Sequence, residues 1–337
     1  MNLPPTGTLD ERLRAAYDWI EANIRNSLRL TSEEMESMAA AREIEKERNK
    51  KAAWVSWRNR GTIKDVLDHR EAYPDTLDRL FLGVAMSLGA QAVLVFSPNR
   101  VYEYWERTLL STDQFSDLIV AVSEPGQQLE QSMFVDAGSG LPYGHVPWEV
   151  TATRALVVTT AGAREVLVPS DRADFNLMRT QAALSFNETT GAGRVTWSAT
   201  GQGQRGLAER ESLRSALTDH RSIELRELCG EGADMEVSRA VSPGLEKAAG
   251  AHTLVCEGEL AETGPAPAQR VFSFHFNGKW IPAVPALLSP ERTHPVVLSY
   301  PWKDHSLITA NAPAGFVPAE PPRDVILTSP FGGYRLA

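Results

Sequence analysis

The amino-acid sequence predicts an α+β protein, in which a group of helices is followed by sheets. Apolar residues at helical spacing occupy the N-terminal part of the chain, and short apolar segments bounded by turn residues follow from residue 92 onward. The second half consists mainly of further short strand patterns. Because helices precede strands instead of alternating with them, we expect antiparallel pairing rather than βα units.

Length and charge exclude several classes of protein. The chain has 337 residues and a formal net charge of -9, and a single core usually stops growing at roughly 250–300 residues. Two domains are therefore expected, at residues 1–168 and 169–337. The acidic balance argues against a nucleic-acid partner, and no apolar run reaches the roughly 20 residues of a membrane span.

The N-terminus carries no recognisable secretory signal, because Met1–Pro5 has neither a basic region nor an apolar one. The protein is then either cytoplasmic or its natural start lies upstream. Its two cysteines, Cys229 and Cys256, are too few for a disulfide scaffold or a four-cysteine zinc site. A single bridge between them stays open, and any thiol nucleophile would have to be one of them.

Four helical segments are predicted in the first domain. An amphipathic helix covers the stretch from Leu9 to Ile24. A charge-rich segment, 33–51, follows a Thr31-x-x-Glu34 capping box and reads as a solvated helix or, alternatively, a partner-binding one. Thr62 then opens a short helix through Leu67. Pro74 and Asp75 form the first turn of a longer helix that Gly89 ends.

Strand patterns account for most of the remaining chain. In the first domain they cover Ala92–Phe96, Leu118–Val122 and Met133–Val135. In the second, a hairpin with its turn at 189–193 and one helix, Leu207–Leu217, accompany further strands. The predicted strands there are Ala182–Phe186, Val195–Thr200, Thr253–Cys256, Val271–Phe276, Val296–Tyr300 and Val325–Thr328.

Several segments, taken in order, resemble the bacterial transglutaminase-like superfamily of papain-like fold. They are Thr62-Ile-Lys-Asp-Val-Leu, Tyr73-Pro-Asp, Ser87-Leu-Gly-Ala, Asp113-Gln-Phe-Ser-Asp-Leu-Ile-Val-Ala-Val, Met133-Phe-Val-Asp-Ala and Leu141-Pro-Tyr-Gly-His-Val-Pro. The last is similar to a subgroup with flanking β-domains of unknown function, as are Arg292-Thr-His-Pro, Tyr300-Pro and Pro313-Ala-Gly-Phe. The resemblance implies a transglutaminase-like domain followed by a β-rich, sandwich-like domain.

The resemblance also implies where catalytic groups would lie. The family uses a cysteine at a helix start, activated by a histidine that an aspartate orients. In this sequence the cysteine position holds Pro74, the histidine position holds Asp117, and Asp136 alone matches the third member. Since no cysteine precedes residue 229, we expect a pseudoenzyme that acts in binding or scaffolding of peptide, protein or cell-envelope polymer.

Two other functions stay open at this stage. A hydrolase or transferase could have rebuilt its chemistry on Asp75, Asp117 and Asp136. Alternatively, Gly201-Gln-Gly-Gln-Arg-Gly206 matches the glycine pattern of a dinucleotide-binding turn, between an apparent strand and an apparent helix. A strand-to-helix turn is the favoured explanation of those glycines, because no alternating βαβ units follow.

The candidate binding cleft is completed by aromatic residues, which suit sugar or peptide ligands or simply pack in the core. Its members are Tyr73, Asp75, Asp117, Asp136, Trp105 and Trp148. Trp54, Trp57, Tyr102 and Tyr104 add nearby aromatic surface. No metal-binding spacing is found among five histidines: His69, His145, His275, His294 and His305. Neither a metal nor a cofactor is expected. The resemblance further suggests a missing N-terminal β-domain and an extracytoplasmic location.

Overall fold

The computed structural model describes residues 6–30, 37, 62–109, 111–160, 162–186, 192–216, 218–232, 235–245, 250–260, 297–311, 323–330 and 332–336. Within them it combines helices with several sheets, which confirms the α+β class. Some sequence expectations lie outside the described residues. These are the charge-rich helix, Trp54 and Trp57, most of the hairpin turn, the 271–276 strand, His275, His294, and the Arg292 and Pro313 motifs.

Five helices and fourteen strands are assigned in the described residues. The helices are α1 (Leu9–Asn23), α2 (Ile63–His69), α3 (Pro74–Ser87), α4 (Gly203–Ser215) and α5 (Thr218–Gly232). The first seven strands are β1 (Arg25–Asn26), β2 (Glu71–Ala72), β3 (Gln91–Ser97), β4 (Asp117–Ser123), β5 (Met133–Val135), β6 (Thr153–Thr159) and β7 (Gly162–Val168). The remainder are β8 (Leu177–Phe186), β9 (Gly193–Gly201), β10 (Met235–Val241), β11 (His252–Leu260), β12 (Lys303–Ala310), β13 (Val325–Ser329) and β14 (Gly332–Leu336).

The first half is built around an antiparallel sheet with the strand order β5-β4-β3-β6-β7. One face packs against α1, α2 and α3, where Tyr17, Ile20, Leu77 and Phe81 are buried. The other face has its own cluster around Ile119. Both faces of β4 are therefore covered, which explains why its sequence is a continuous apolar run instead of an alternating one.

The predicted helix boundaries in the first half agree closely with those observed, whereas in the second half α4 begins at Gly203, four residues before the predicted Leu207, and α5 was not predicted. Helix α1 begins after Thr8, whose side chain forms a reciprocal capping box with Glu11. Helix α3 begins at Pro74, where a missing N–H costs nothing. After α3 the chain turns at Gly89, whose φ of +93° favours glycine.

The second half contains a sheet with the order β10-β11-β9-β8-β12, in which β12 runs parallel to β8. Helices α4 and α5 pack against it and bury Leu213 and Leu228. This differs from the expected sandwich, since helices and not a second sheet cover this buried face among the described residues. The predicted strand at 296–300 is also wrong. Residues 297–302 are irregular, and strand β12 begins at Lys303.

A disulfide bond joins α5 to β11. It connects Cys229 with Cys256, and both residues are fully buried in the second core. Neither of the protein's two cysteines is therefore a free thiol. The single bridge that the sequence left open is therefore present.

The two halves meet at a buried polar junction. Arg210, which is 1% exposed, donates through Nη2 to the Gly140 carbonyl at 2.8 Å and through Nη1 to the Gly250 carbonyl at 2.9 Å. The Gln204 side chain donates to the Val146 carbonyl at 2.9 Å. These bonds hold α4 against the segment that follows β5. In the part of the chain that is described, no helix is long and apolar enough to cross a membrane.

Candidate functional site

The site predicted from the sequence lies where α3 begins beside the ends of β4 and β5. Pro74 is the first residue of α3, and the half-exposed Tyr73 precedes it in an extended conformation. Asp75 lies in the first turn, where a carboxylate complements the helix dipole. The helix thus presents a proline ring, and no thiol, at its start.

Asp117 and Asp136 lie at the same end of the first sheet. Asp117 opens β4, and Asp136 directly follows β5. The antiparallel register pairs Val120 with Val135, so its continuation places Asp136 opposite Ile119, two residues from Asp117. The fold therefore brings these predicted residues together. Asp117 accepts a hydrogen bond from the Ser116 hydroxyl at 2.8 Å.

The carboxyl of Asp136 is strongly perturbed. Burial raises its pKa to about 8, and the negative charges of Glu21, Asp117 and Asp75 add to that rise. The nearby Arg29 guanidinium opposes it. A carboxyl with this pKa is protonated over much of the neutral pH range, so it can donate a proton as well as accept one.

A second buried carboxyl, that of Asp78, was not identified from the sequence. Asp78 lies one helical turn after Pro74 and is 0% exposed. Its Oδ1 accepts the backbone N–H of Ala137 at 2.8 Å, whereas its Oδ2 is buried without a hydrogen-bond partner. Burial, followed by the charge of Asp136, raises the pKa of this carboxyl. The charge of Asp136 thus disfavours ionisation of Asp78.

Helix α1 contributes a third carboxyl, that of Glu21, which accepts a hydrogen bond from the backbone N–H of Gly138. Burial raises the pKa of Glu21 to about 7, although this hydrogen bond and Arg29 lower it. Gly138 adopts a φ of +93°, and a Cβ there would lie 2.3 Å from Leu77 Cδ1. Its carbonyl accepts from the Asn26 side chain at 2.7 Å. Glycine is thus required where this loop meets α1 and α3.

These groups define the chemistry that is available. Asp136 and Glu21, with pKa values of about 8 and 7, can exchange protons near neutral pH, whereas both cysteines are bonded to each other in the disulfide. Thiol nucleophilic catalysis therefore has no group to use. Across the described ranges, no three His, Cys, Asp or Glu side chains are arranged to hold a metal ion.

The chain was compared with models of protein families, with curated proteins and with solved structures. None of them matches. The family resemblance described above therefore stays a prediction from short motifs, and the account of this site depends on its own geometry.

Two aromatic residues predicted for the cleft have other contacts in the structure. Trp105 packs against Phe115, with ring centroids 5.6 Å apart. Trp148 lies near the junction of the two halves, and its ring centroid is 6.3 Å from that of Tyr300. The Arg100 guanidinium lies 5.1 Å from the centroid of the Trp148 ring. Packing accounts for both rings. Tyr73 is the aromatic candidate placed directly at the start of α3.

The glycine motif between β9 and α4 is close-packed. A Cβ on Gly206 would lie 2.3 Å from the Gly201 carbonyl oxygen, and one on Gly203 would lie 2.4 Å from Asn176 Oδ1. That same Asn176 oxygen accepts the backbone N–H of Gln204 at 3.0 Å and so caps the helix. Strand β9 is antiparallel to both its neighbours. Close packing thus explains all three glycines without a nucleotide, whose binding here stays untested.

Some of the missed residues carried a signal in the sequence. Asp78 is a charged residue between Leu77 and Phe81 on the apolar face of α3, and Glu21 adjoins Ile20 on that of α1. An acidic residue within a buried stripe indicates a special environment. Their convergence on the loop after β5, however, depends on long-range packing.

Proposed function

We propose that this protein is a non-catalytic member of the transglutaminase-like class that acts by binding or scaffolding a peptide, a protein or a cell-envelope polymer. The observation that carries the proposal is that two residues at the start of α3 and of β4 differ from the transglutaminase-like pattern. Pro74 begins the helix where a cysteine would be needed, and Asp117 opens the strand where a histidine would be needed. The carboxylate of Asp117 is not the imidazole that the family's chemistry uses to activate its thiol.

The state of the cysteines supports the same proposal. Cys229 and Cys256 are buried in a disulfide on the second sheet, outside the α3, β4 and β5 region. A relocated thiol site would need one of them reduced and exposed. Structural disulfides also persist mainly in oxidising compartments, which fits the extracytoplasmic location that the resemblance implies.

A turnover screen combined with a binding assay tests the proposal. Freshly purified protein would be assayed with amidase and transglutaminase substrates, and separately with labelled peptides and insoluble cell-wall polymer. We expect saturable binding to one of these ligands, weakened by Tyr73→Ala, and no turnover above buffer. Turnover that Asp117→Ala abolishes would overturn the proposal.

One observation favours a second candidate, a hydrolase or transferase that uses carboxyl groups. Asp136 and Glu21 have pKa values of about 8 and 7, in the range that suits a general acid. Their partner Asp78 has an unpaired buried oxygen. This candidate requires turnover that Asp136→Asn abolishes while the fold is retained, as judged by circular dichroism. It is rejected if the screen stays blank.

A further inference from the structure

A cavity of about 390 Å³ is lined by residues from both halves of the protein, Glu21 among them. It is lined by the end of α1, strand β1 and the residues that follow it, Arg70 after α2, the loop after β5 and helix α4. This volume falls within the range of small-molecule sites. The charged residues that line it are Arg25, Arg29, Arg70, Arg214, Glu21 and Glu211.

The lining has an excess of positive charge. Four guanidinium groups face two carboxyls, and one of these, Glu21, already accepts a hydrogen bond from Gly138. Glu211 forms an ion pair with Arg29 at 3.7 Å, without a hydrogen bond between them. Burial raises the pKa of Glu21 to about 7, so its negative charge is only partial at neutral pH.

The donors of these arginines are largely unused. Among the described residues, none of the four guanidinium groups donates a hydrogen bond to a protein acceptor. Arg29 Nη1 and Arg214 Nε are buried and have no hydrogen-bond partner. Arg70 is held over the Trp19 ring at 4.9 Å, which orients it without occupying its N–H groups.

Arg25 and Arg70 are exposed, whereas Arg29 and Arg214 are partly buried and each keeps a buried nitrogen without a hydrogen-bond partner, which an anion in the cavity would satisfy. A guanidinium presents a fixed fork of donors that matches the paired oxygens of a carboxylate or phosphate. We propose that this cavity binds a small organic polyanion that carries phosphate or carboxylate groups. The proposal is separate from the proposed function, because Pro74, Asp117 and Asp136 do not line this cavity.

Isothermal titration of the full chain at physiological salt tests the proposal, with pyrophosphate and citrate as separate probes. We expect saturable binding of at least one probe, and the preferred probe identifies the anionic group. Arg25→Gln is placed on an exposed residue and should weaken binding about tenfold, the effect of one lost charge-assisted hydrogen bond. Arg164→Gln, on an exposed arginine paired with Glu130 outside the cavity, should leave affinity unchanged.

A second variant separates ligand recognition from general damage to the fold. Glu211→Gln removes a negative charge from the lining, so it should tighten binding of the same probe by severalfold. A destabilised protein would not gain affinity. The proposal is overturned if neither probe binds saturably, or if Arg25→Gln and Arg164→Gln weaken binding equally.

Discussion

The carboxylate of Asp78 on α3 accepts the backbone N–H of Ala137, the residue that follows Asp136, at 2.8 Å. This bond ties the first turns of α3 to the end of β5. It also places two buried carboxyls close enough for the charge of Asp136 to raise the pKa of Asp78. Because burial raises the pKa of both carboxyls, the stability of the folded protein must depend on pH.

Glu21→Gln should make the protein more stable at pH 8. The pKa of Glu21 is about 7 in the folded protein, against an ordinary value of 4.5. The native state therefore holds a proton that the unfolded chain has lost, and stability falls as pH rises from about 4.5 to 7. At about 1.4 kcal/mol per pKa unit, the gain at pH 8 is on the order of 3 kcal/mol. Urea unfolding at pH 5 and pH 8 measures it.

The control for this prediction is Asp18→Asn, which alters an exposed carboxylate on the same helix. Burial lowers the pKa of His252 to about 4, so this residue destabilises the fold as pH falls below about 6.5. Its contribution is common to all variants and cancels in the comparison. An identical pH profile for Glu21→Gln and wild type would contradict the assigned role of Glu21.

Gly206→Ala should destabilise the protein by several kcal/mol. The new Cβ would lie 2.3 Å from the Gly201 carbonyl oxygen, so β9 and α4 would have to separate. Gly83→Ala provides the matched control, because Gly83 lies in α3 with nothing within 4 Å of an added Cβ. That change should stabilise by up to about 1 kcal/mol. Thermal unfolding compares the two; equal effects would be inconsistent with close packing at Gly206.

Loss of the disulfide should lower stability by about 3–4 kcal/mol. The bridge closes a segment with a sequence separation of 27, and the estimate follows from loop-closure entropy. Replacing both cysteines with Ala and measuring urea unfolding tests the magnitude. Thiol titration of the wild-type protein, unfolded in denaturant without a reducing agent, should detect no free thiol. Two free thiols at that step would disprove the bridge.

Arg210→Met should loosen the junction between the two halves. It leaves the carbonyls of Gly140 and Gly250 without their buried donor, at a cost of about 2–4 kcal/mol. Arg226→Met is the control, since the Arg226 bond to the Val237 carbonyl is exposed. Limited proteolysis and urea unfolding report the difference. If both variants unfold at the same urea concentration, Arg210 does not hold the junction.

The local elements were predictable because their signals lie within a few residues. Thr62, Pro74 and Gly89 fixed the ends of two helices, and the strand at Met133–Val135 was placed without error. Helix α5 was missed because polar and apolar residues alternate irregularly along it. Strand β12 was misplaced because its pairing partner, β8, is more than a hundred residues away.

The candidate site was predictable only in part, for a related reason. Asp117 and Asp136 could be placed on neighbouring strands from the order of motifs, and the register supports this. The contributions of Glu21, Asp78 and Arg210 come from three helices that converge on one loop. Such convergence is decided by packing between distant segments, which no local pattern encodes.

The central claim is that Pro74 and Asp117 occupy the positions of a lost thiol and its base. The most direct test compares two variants, Pro74→Cys alone and Pro74→Cys combined with Asp117→His. The alkylation rate of the introduced thiol is measured for each between pH 5 and 9. We predict that the double variant has a thiol pKa well below the usual value of about 8.5, and reacts about tenfold faster at pH 6 than Pro74→Cys alone. The native cysteines are bridged and should not react. Superimposable pH profiles for the single and double variants would contradict the claim.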